Sequence, residues 1–331
     1  MVAMISEICI AVLLFGSALG NINELSNDDY DDVAKLRFYK SSFDDFIEFP
    51  LNNAREIVFT SWYDPKKTTI IFTHGFSGFP NGPAVTAVIT TYLNQGGYNV
   101  ALLNWQELAA PVLPSMFNSY LNWAYPNAKR LGVDFADALL NLSAAGINLN
   151  KTHLVGHSLG AHIFGITGNT LLARGVMLPW ITGLDPASVG FENKPLAVRL
   201  NPKSAGFVSV VHSDPSRYGY KRSLGTVDFW PNYSTGTVTQ PGCDKKNNPA
   251  FSPEDLCNHN RSWEILLDSV VHRGTIIGSQ APNFRKWRKY TDEERKANIL
   301  EVGVYSENPL PGNYYFTTNA ASPYGLGIDG L

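Results

Sequence analysis

The chain has little excess charge, few cysteines and no long apolar segment. Its 331 residues include 26 Lys and Arg against 29 Asp and Glu, a net charge of -3, so there is no electrostatic case for a nucleic-acid partner. No segment is apolar for long enough to cross a bilayer. Internal repeats, low-complexity segments and convincing linkers are also missing. A content of 44% hydrophobic and 12% aromatic residues is instead enough for one large domain with an ample core.

The first twenty residues have the pattern of a secretory signal peptide. The apolar run Ile8–Phe15 is too short to span a membrane, and small residues suited to cleavage follow it. The start departs from the usual pattern, because it has no Lys or Arg and carries Glu7. A buried N-terminal helix is the alternative. We expect residues 1–20 to be a signal peptide, residues 21–331 to form one domain, and the protein to be secreted.

Secretion gives the cysteine count a meaning. Cys9 lies within the signal peptide, so the mature chain keeps only Cys243 and Cys257, which should pair in an oxidising compartment. A bridge that closes a loop as short as 244–256 typically contributes about 3 kcal/mol. Four acceptor patterns for N-glycosylation begin at Asn141, Asn150, Asn232 and Asn260.

Apolar runs alternate with helix-prone stretches along the chain. The predicted strands are 55–60, 67–73, 98–104, 151–156, 180–184 and 206–212. The predicted helices are 84–96, 126–142, 159–173 and 262–272. Alternation of this kind favours an α/β fold with a mostly parallel central sheet and helices on both faces.

Residues 152–162 place a serine between two glycines where an apolar strand meets a helix-prone run. This is the pattern of a nucleophile elbow, in which Gly156 and Gly160 lack side chains so that a tight turn can form. The turn exposes Ser158 at the edge of the sheet, where its hydroxyl can attack a substrate.

Hydrolases with this elbow carry the acid after the serine. Asp185 ends the strand-like run 180–184 and precedes Pro186, at the edge of the sheet where ligands are bound. It is therefore the predicted acid. Asp214 and Asp228 stay as alternatives, because each also ends a strand-like run.

The base should follow the acid, which argues against the histidines upstream of the serine. His162 lies in the elbow helix and is better explained by packing, and His212 ends a buried strand, where a structural role is expected. His272 ends a helix. His259 is predicted to lie in a loop between Cys257 and that helix, the kind of position that often carries catalytic side chains. We predict that His259 is the base.

Five motifs occur together in one order. They are His-Gly-Phe at 74–76, Gly-His-Ser-Leu-Gly-Ala-His at 156–162, Gly-Leu-Asp-Pro-Ala at 183–187, Val-Asp-Phe-Trp-Pro-Asn at 227–232 and Cys-Asn-His at 257–259. Over nearly the whole mature chain they resemble the animal pancreatic lipase family, in particular its secreted, insect-type neutral lipases and phospholipases A1. The resemblance implies an α/β-hydrolase fold and a triad of Ser158, Asp185 and His259.

An ester-hydrolysing triad also needs donors for the oxyanion. The backbone N-H of Leu159, the residue after the nucleophile, should be one of them. The resemblance places the turn at 74–76 beside it, which implies the N-H of Phe76 as the second.

In the family, the disulfide corresponding to Cys243–Cys257 bounds a lid over the active site, so we expect a lid at 243–257 rather than a simple loop staple. The lid is short and polar, and the loop 215–226 is also short, features that within the family favour phospholipase A1 and an open site. A triacylglycerol or carboxylester lipase is the alternative, and a non-catalytic, yolk-type lipid-binding protein is a third possibility. Cations that could meet a phosphate are Lys221, Arg222, Lys245 and Lys246.

Two departures from the family concern its accessory sites. Where calcium-binding members carry acidic residues, this chain has Leu196, Asn201 and Ser204, so we expect no calcium and no other cofactor. The chain ends at Leu331 with no β-sandwich domain after it, so we expect no colipase partner.

The expected partner is a phospholipid or neutral lipid at a membrane or lipid-droplet interface. The stretch 284–290 interleaves cations with aromatics and suits an anionic lipid surface or sulfated polysaccharide, or is an ordinary solvated face.

Overall fold

The computed structural model describes residues 33–235, 238–244 and 248–331, and the predicted signal peptide lies outside these residues. The strands are β1 (Lys35–Tyr39), β2 (Phe46–Pro50), β3 (Thr68–Thr73), β4 (Tyr98–Asn104), β5 (Thr152–His157), β6 (Trp180–Leu184), β7 (Phe207–Val211), β8 (Val227–Pro231), β9 (Ile277–Ala281), β10 (Ile299–Glu301) and β11 (Gly312–Phe316). The α-helices are α1 (Pro83–Gln95), α2 (Gln106–Ala109), α3 (Met116–Ser119), α4 (Tyr125–Ala144), α5 (Leu159–Ala173), α6 (Cys257–Val271), α7 (Phe284–Trp287) and α8 (Asp292–Ala297). A π-helix at Tyr120–Ala124 precedes α4, and 3₁₀ helices lie at Leu51–Phe59, Leu149–Lys151, Leu196–Val198 and Gly327–Gly330.

All of these strands belong to one sheet, in the order β10-β9-β11-β8-β7-β6-β5-β3-β4-β1-β2. The strands from β11 to β4 in this order run parallel to one another. At the two ends, β1, β2, β9 and β10 pair in antiparallel fashion. The carboxyl ends of the parallel strands therefore meet at one edge, where α/β sheets bind ligands.

Successive strand residues feed two separate hydrophobic cores. In β3, Ile71 packs in the core that holds α4 and α5, whereas Ile70 and Phe72 pack in the core that holds α1 and α6. This alternation follows from the two-residue period of a strand and places helices on both faces. The predicted α/β fold, with a mostly parallel central sheet and helices on both faces, is confirmed. Within the described residues, no helix combines the length and the apolarity needed to span a bilayer.

The strand predicted at 55–60 is wrong, because this segment lies in the 3₁₀ helix Leu51–Phe59. Its buried residues are Leu51, Ala54 and Ile57, three positions apart. A spacing of three matches the 3₁₀ repeat, so all three side chains lie on the face that enters the core. Apolar content alone did not distinguish this period from that of a strand.

Candidate active site

Ser158 lies at the turn between β5 and α5. Its φ of 57° and ψ of -118° belong to a sparsely populated region that a tight strand-to-helix turn imposes. A Cβ on Gly156 would come within 2.4 Å of Gly160 O, and one on Gly160 within 2.7 Å of His74 O. Both glycines are therefore required by the close approach of the backbone. Ser158 stays partly exposed while its neighbours are buried.

The residues predicted as acid and base are hydrogen-bonded to each other. His259 Nδ1 lies 2.6 Å from Asp185 Oδ2, and the Asp185 side chain is completely buried. The other carboxylate oxygen accepts hydrogen bonds from the backbone N-H groups of Ser213, at 2.9 Å, and Asp214, at 3.0 Å. With each oxygen engaged, the Asp185 carboxylate is held in one orientation toward the imidazole.

His259 lies on a helix and not in a loop, so that part of the prediction is wrong. Helix α6 begins at Cys257, five residues before the predicted start at 262. The side chain of Asn258 accepts a hydrogen bond from Gln240 N at 2.7 Å, and the Cys243–Cys257 disulfide joins the same turn to the preceding loop. These long-range links fix the first turn of the helix, and with it the imidazole.

The two alternative acids occupy different places. Asp228 lies at the second position of β8, so the prediction that it ends a strand is wrong, and it bonds His212 Nε2 at 2.8 Å. Asp214 is buried beside Asp185, and burial, followed by the negative charge of Asp185, raises the pKa of Asp214 to about 7. The structure therefore gives His259 the partner Asp185, and gives His212 a buried, structural position as predicted.

The turn His74-Gly75-Phe76 follows β3 and packs directly on the serine. A Cβ on Gly75 would lie 2.6 Å from Ser158 Cβ, so only glycine allows this approach. Trp105 Nε1 donates a hydrogen bond to His74 O at 3.0 Å, and burial lowers the pKa of His74 to about 4. A neutral, buried imidazole thus supports the turn that brings the backbone of Phe76 beside the elbow.

A cavity of about 430 Å³ opens at this edge of the sheet, and both Ser158 and His259 line it. Most of its remaining wall is apolar and includes Phe76, Phe79, Phe117, Tyr120, Val189 and Trp263. A wall of this kind fits an acyl chain, while Ser158, His259, Arg217 and Tyr218 are among the polar residues that line the same cavity.

Known proteins match this chain over most of its length. The sequence profile of the family described as Lipase matches residues 28–324. Lipase member H-B of Xenopus laevis is 35% identical over 230 residues, which cover 67% of this chain and 45% of that protein. The chain belongs to the pancreatic lipase family.

Two further relatives also match most of this pancreatic lipase family member. Lipase member H of Oryctolagus cuniculus is 30% identical over 255 residues, covering 77% of this chain and 52% of that protein. Phospholipase A1 of Vespa crabro is 28% identical over 262 residues, covering 78% of this chain and 83% of that protein. The chain therefore spans about half the length of the lipase member H proteins and most of the wasp protein.

In this pancreatic lipase family member, several described residues of the loop between the two cysteines line the cavity. The Phe251 ring packs edge-on against Phe76, with 5.5 Å between ring centroids, and lies 5.3 Å from the Tyr218 ring. Phe251 and Leu256, the two sizeable apolar residues of the loop, both line the cavity. This loop thus contributes an aromatic cover to the cavity, which the expectation of an open site did not include.

The loop is fastened by a contact that sequence reasoning missed. The Asp255 carboxylate accepts hydrogen bonds from the Arg217 guanidinium and the Tyr218 hydroxyl, and the Phe251 N-H donates to the same carboxylate at 3.0 Å. Arg217 and Tyr218 belong to the short loop after β7, within the stretch 215–226. Its cations Lys221 and Arg222, named in the sequence analysis as phosphate ligands, instead contact Glu192 at 3.2 Å and Asn193 at 2.5 Å. Lys245 and Lys246 lie outside the described residues.

The segment where the family carries calcium is filled by side-chain amides in this pancreatic lipase family member. Asn201 Nδ2 lies 3.1 Å from Leu196 O, 3.2 Å from Arg199 O and 2.9 Å from Asn169 Oδ1. Asn169 Nδ2 donates to Leu196 O as well, at 2.9 Å. These carbonyl oxygens already accept from neutral N-H donors, and no carboxylate joins them. The residues present do not fit a calcium ion.

The aromatics of the stretch 284–290 point inward. Trp287 is buried against Tyr315, and Phe284 packs between Tyr233 and Tyr315. The cations of the stretch are exposed. The aromatic side chains are used in packing, so the stretch fits a solvated face better than a membrane-inserting one.

Proposed function

We propose that this chain hydrolyses acyl ester bonds of lipids, with the sn-1 ester of phospholipids as the main substrate. The observation that carries the proposal is the shared cavity. Ser158 stands at a strained elbow in that cavity, and His259, bonded to buried Asp185, lines the same space.

The proposed reaction passes through a covalent acyl-enzyme. Ser158 Oγ attacks the ester carbonyl while His259 takes its proton, and Asp185 holds the imidazole tautomer and stabilises its positive charge. His259 then gives the proton to the departing lysolipid oxygen. A water molecule, activated by the same imidazole, attacks the acyl-enzyme and releases the fatty acid.

The tetrahedral oxyanion would be stabilised by the backbone N-H groups of Leu159 and Phe76. Leu159 opens helix α5 directly after the serine, and the absence of a side chain at Gly75 lets the Phe76 turn approach. Loss of one such donor typically costs about 100- to 1000-fold in rate.

Several features favour a phospholipid as the substrate. The lid between the cysteines is short, and the wasp phospholipase A1 matches most of its own length to this chain. The lipase member H relatives keep a triacylglycerol lipase as the second candidate. The partly exposed Ser158 and the His259–Asp185 hydrogen bond argue against a purely lipid-binding role.

We further propose that the protein is secreted, acts at a membrane or lipid-droplet surface, and needs no metal. The disulfide fits an oxidising compartment. The amide-filled segment around Asn201 supports calcium independence.

The test is fatty-acid release by the purified mature protein in the presence of a calcium chelator. Phosphatidylcholine vesicles and emulsified triacylglycerol are the two substrates, and Ser158→Ala is the control. We expect faster release from phosphatidylcholine that disappears in the variant. Faster release from triacylglycerol would favour the second candidate, and no release from either would contradict the enzymatic proposal.

A further inference from the structure

We propose that Arg217 and Tyr218 form the phosphate-binding subsite of this lipid site, and that Asp255 of the lid occupies that subsite when the lid is closed. This inference rests on the proposed function, which supplies the phospholipid substrate. It identifies the residues that bind the headgroup phosphate and the carboxylate that the phosphate displaces.

Asp255 behaves as an internal anion at this position. Its side chain is completely buried, and it is held by the Arg217 guanidinium, the Tyr218 hydroxyl and the Phe251 N-H. A carboxylate is costly to bury unless donors surround it. Phosphate is also an oxyanion, and a guanidinium binds both groups through paired N-H donors. The slot that accepts Asp255 therefore has the chemistry to accept a phosphate.

Two of the three donors do not belong to the lid. Arg217 and Tyr218 lie in the loop after β7, which is fixed to the rest of the molecule. Tyr218 O accepts from Ser188 N at 2.9 Å, and Gly219 N donates to Asp214 O at 3.0 Å. A Cβ on Gly219 would lie 2.3 Å from Asp185 Oδ1, so the loop passes directly over the buried acid. When the lid moves, Arg217 and Tyr218 stay at the site and lose their anion.

The subsite is next to the reacting groups. The Tyr218 and His259 rings lie 5.5 Å apart between centroids, and Arg217 lines the cavity together with Ser158. The Arg217 side chain is 42% exposed, so a ligand can reach it from the cavity mouth. In a phospholipid, only the glycerol backbone separates the sn-1 ester from the phosphate. Both groups can therefore be engaged by one molecule.

Exchange of the Asp255 carboxylate for a substrate phosphate on Arg217 makes opening of the lid depend on the class of lipid. A phospholipid that replaces the Asp255 carboxylate on Arg217 restores the charge pairing that opening the lid would remove. Diacylglycerol or triacylglycerol has no anion to offer, so the lid must open against an unpaired Arg217. The structure thereby selects for phosphate without requiring a long lid.

The chain offers a matched control in the same loop. Arg222 is exposed, contacts Asn193 and does not line the cavity. Arg222→Gln removes the same charge as Arg217→Gln at a point five residues away, so it reports any general effect of charge on lipid adsorption.

The experiment compares phosphatidylcholine with diacylglycerol of identical acyl chains, each in mixed micelles of a non-ionic detergent. We expect Arg217→Gln to lower kcat/KM on phosphatidylcholine by about 10- to 100-fold, the range for loss of hydrogen bonds to a charged group. On diacylglycerol the rate should not fall, because Arg217 contacts no group of that substrate and its removal loosens the closed lid, and Arg222→Gln should match the wild type on both. Arg217→Lys keeps the charge but loses the paired N-H donors of the guanidinium, so its kcat/KM on phosphatidylcholine should lie between those of the wild type and Arg217→Gln.

Asp255→Asn tests the displacement. Glycerophosphocholine should inhibit diacylglycerol hydrolysis about tenfold more tightly in this variant, because the competing carboxylate is gone, and should lose its effect in Arg217→Gln. An equal loss on both substrates in Arg217→Gln would make the residue merely structural and overturn the inference. An unchanged inhibition constant in Asp255→Asn would overturn the displacement. Failure of wild type and Ser158→Ala to differ on any ester would instead overturn the proposed function.

Discussion

Two buried histidine–aspartate pairs lie at the carboxyl edge of the same sheet, yet only one of them faces the cavity. His259 bonds Asp185 at 2.6 Å, and His212 bonds Asp228 at 2.8 Å. His212 is enclosed, since its Nδ1 contacts Tyr220 O at 3.0 Å and its ring stacks on Trp230 at 3.9 Å. Both nitrogens of that ring are used within the protein.

A buried, hydrogen-bonded histidine–aspartate pair is therefore not sufficient to make a catalytic group. His259 lies on the wall of the cavity that Ser158 lines, whereas His212 is not part of that wall. A hydrogen-bonded imidazole becomes a base only where one of its nitrogens can reach a reacting proton. In the other pair, the same chemistry links the ends of β7 and β8 and serves stability.

Replacing the two histidines should separate catalysis from stability most clearly. His259→Gln is expected to lower kcat by about 10⁴- to 10⁶-fold, as loss of a triad base does, with little change in Tm. His212→Gln should keep most of the activity at low temperature and lower the Tm. Rates on the best lipid substrate and thermal unfolding of both variants provide the measurement, and equal rate losses would contradict our assignment.

The two acids should repeat this contrast with a somewhat smaller effect on rate. Asp185→Asn is expected to lower kcat by about 10⁴-fold, because the amide favours the wrong imidazole tautomer. Asp228→Asn should instead reduce the free energy of unfolding by about 1–3 kcal/mol, since Leu224 N and Gly225 N also depend on that carboxylate. Denaturant unfolding and steady-state rates distinguish the two. A large rate loss in Asp228→Asn would show that the second pair also takes part in the reaction.

The disulfide supports only the His259 pair, because Cys257 starts the helix that carries this histidine. The double variant Cys243→Ser, Cys257→Ser is expected to lose about 3 kcal/mol of stability. Activity should decay sooner on heating, while the surroundings of His212 stay ordered until global unfolding. Inactivation half-lives, read against near-UV circular dichroism, test this. Simultaneous loss of both signals would mean that the disulfide stabilises the whole domain evenly.

The smallest expected effect is a pH dependence that concerns the His259 pair alone. The pKa of Asp214 is raised by burial to about 7, above its usual 3.8, so the folded protein binds this proton more tightly than the unfolded chain does. Stability contributed by the protonated group is therefore lost as the pH rises from about 4 to about 7. Asp214→Asn should raise the Tm at pH 8 by about 2–4 °C and leave it nearly unchanged at pH 4.

The control for this pH effect is Asp44→Asn, which removes an exposed carboxylate far from the site in sequence. It should change the Tm little at either pH. A gain at pH 8 that is equal in the two variants would point to net charge and not to the buried Asp214.

The sequence predicted the parts of the fold that local pattern determines. Strands β3 to β7 and helices α1, α4 and α5 agree with the predictions to within two residues at their ends, because each combines a buried apolar run with a clear end signal. Strands β1, β2, β8, β9, β10 and β11 were not predicted. Each is only three to five residues long, so its pattern is weak until the neighbouring strand is in place.

Within the site, motif order was enough to propose Ser158, Asp185 and His259 together; in the structure His259 bonds Asp185, and Ser158 and His259 line one cavity. The Arg217–Asp255 pair was not predictable in this way. The two residues are 38 positions apart on separate loops. Nothing in the local sequence distinguishes Arg217 from the nearby cations Lys221 and Arg222. Their partners depend on how two loops cross in three dimensions.

The Cys243–Cys257 bond also bears on proteolysis. Polar surface loops are favoured sites of cleavage, and the loop from 244 to 256 is of this type. A cut anywhere between those positions would leave both new chain ends covalently attached, one to Cys243 and the other to the first turn of the helix that carries His259. A chain cut once in this loop would therefore still hold its two parts together as one particle.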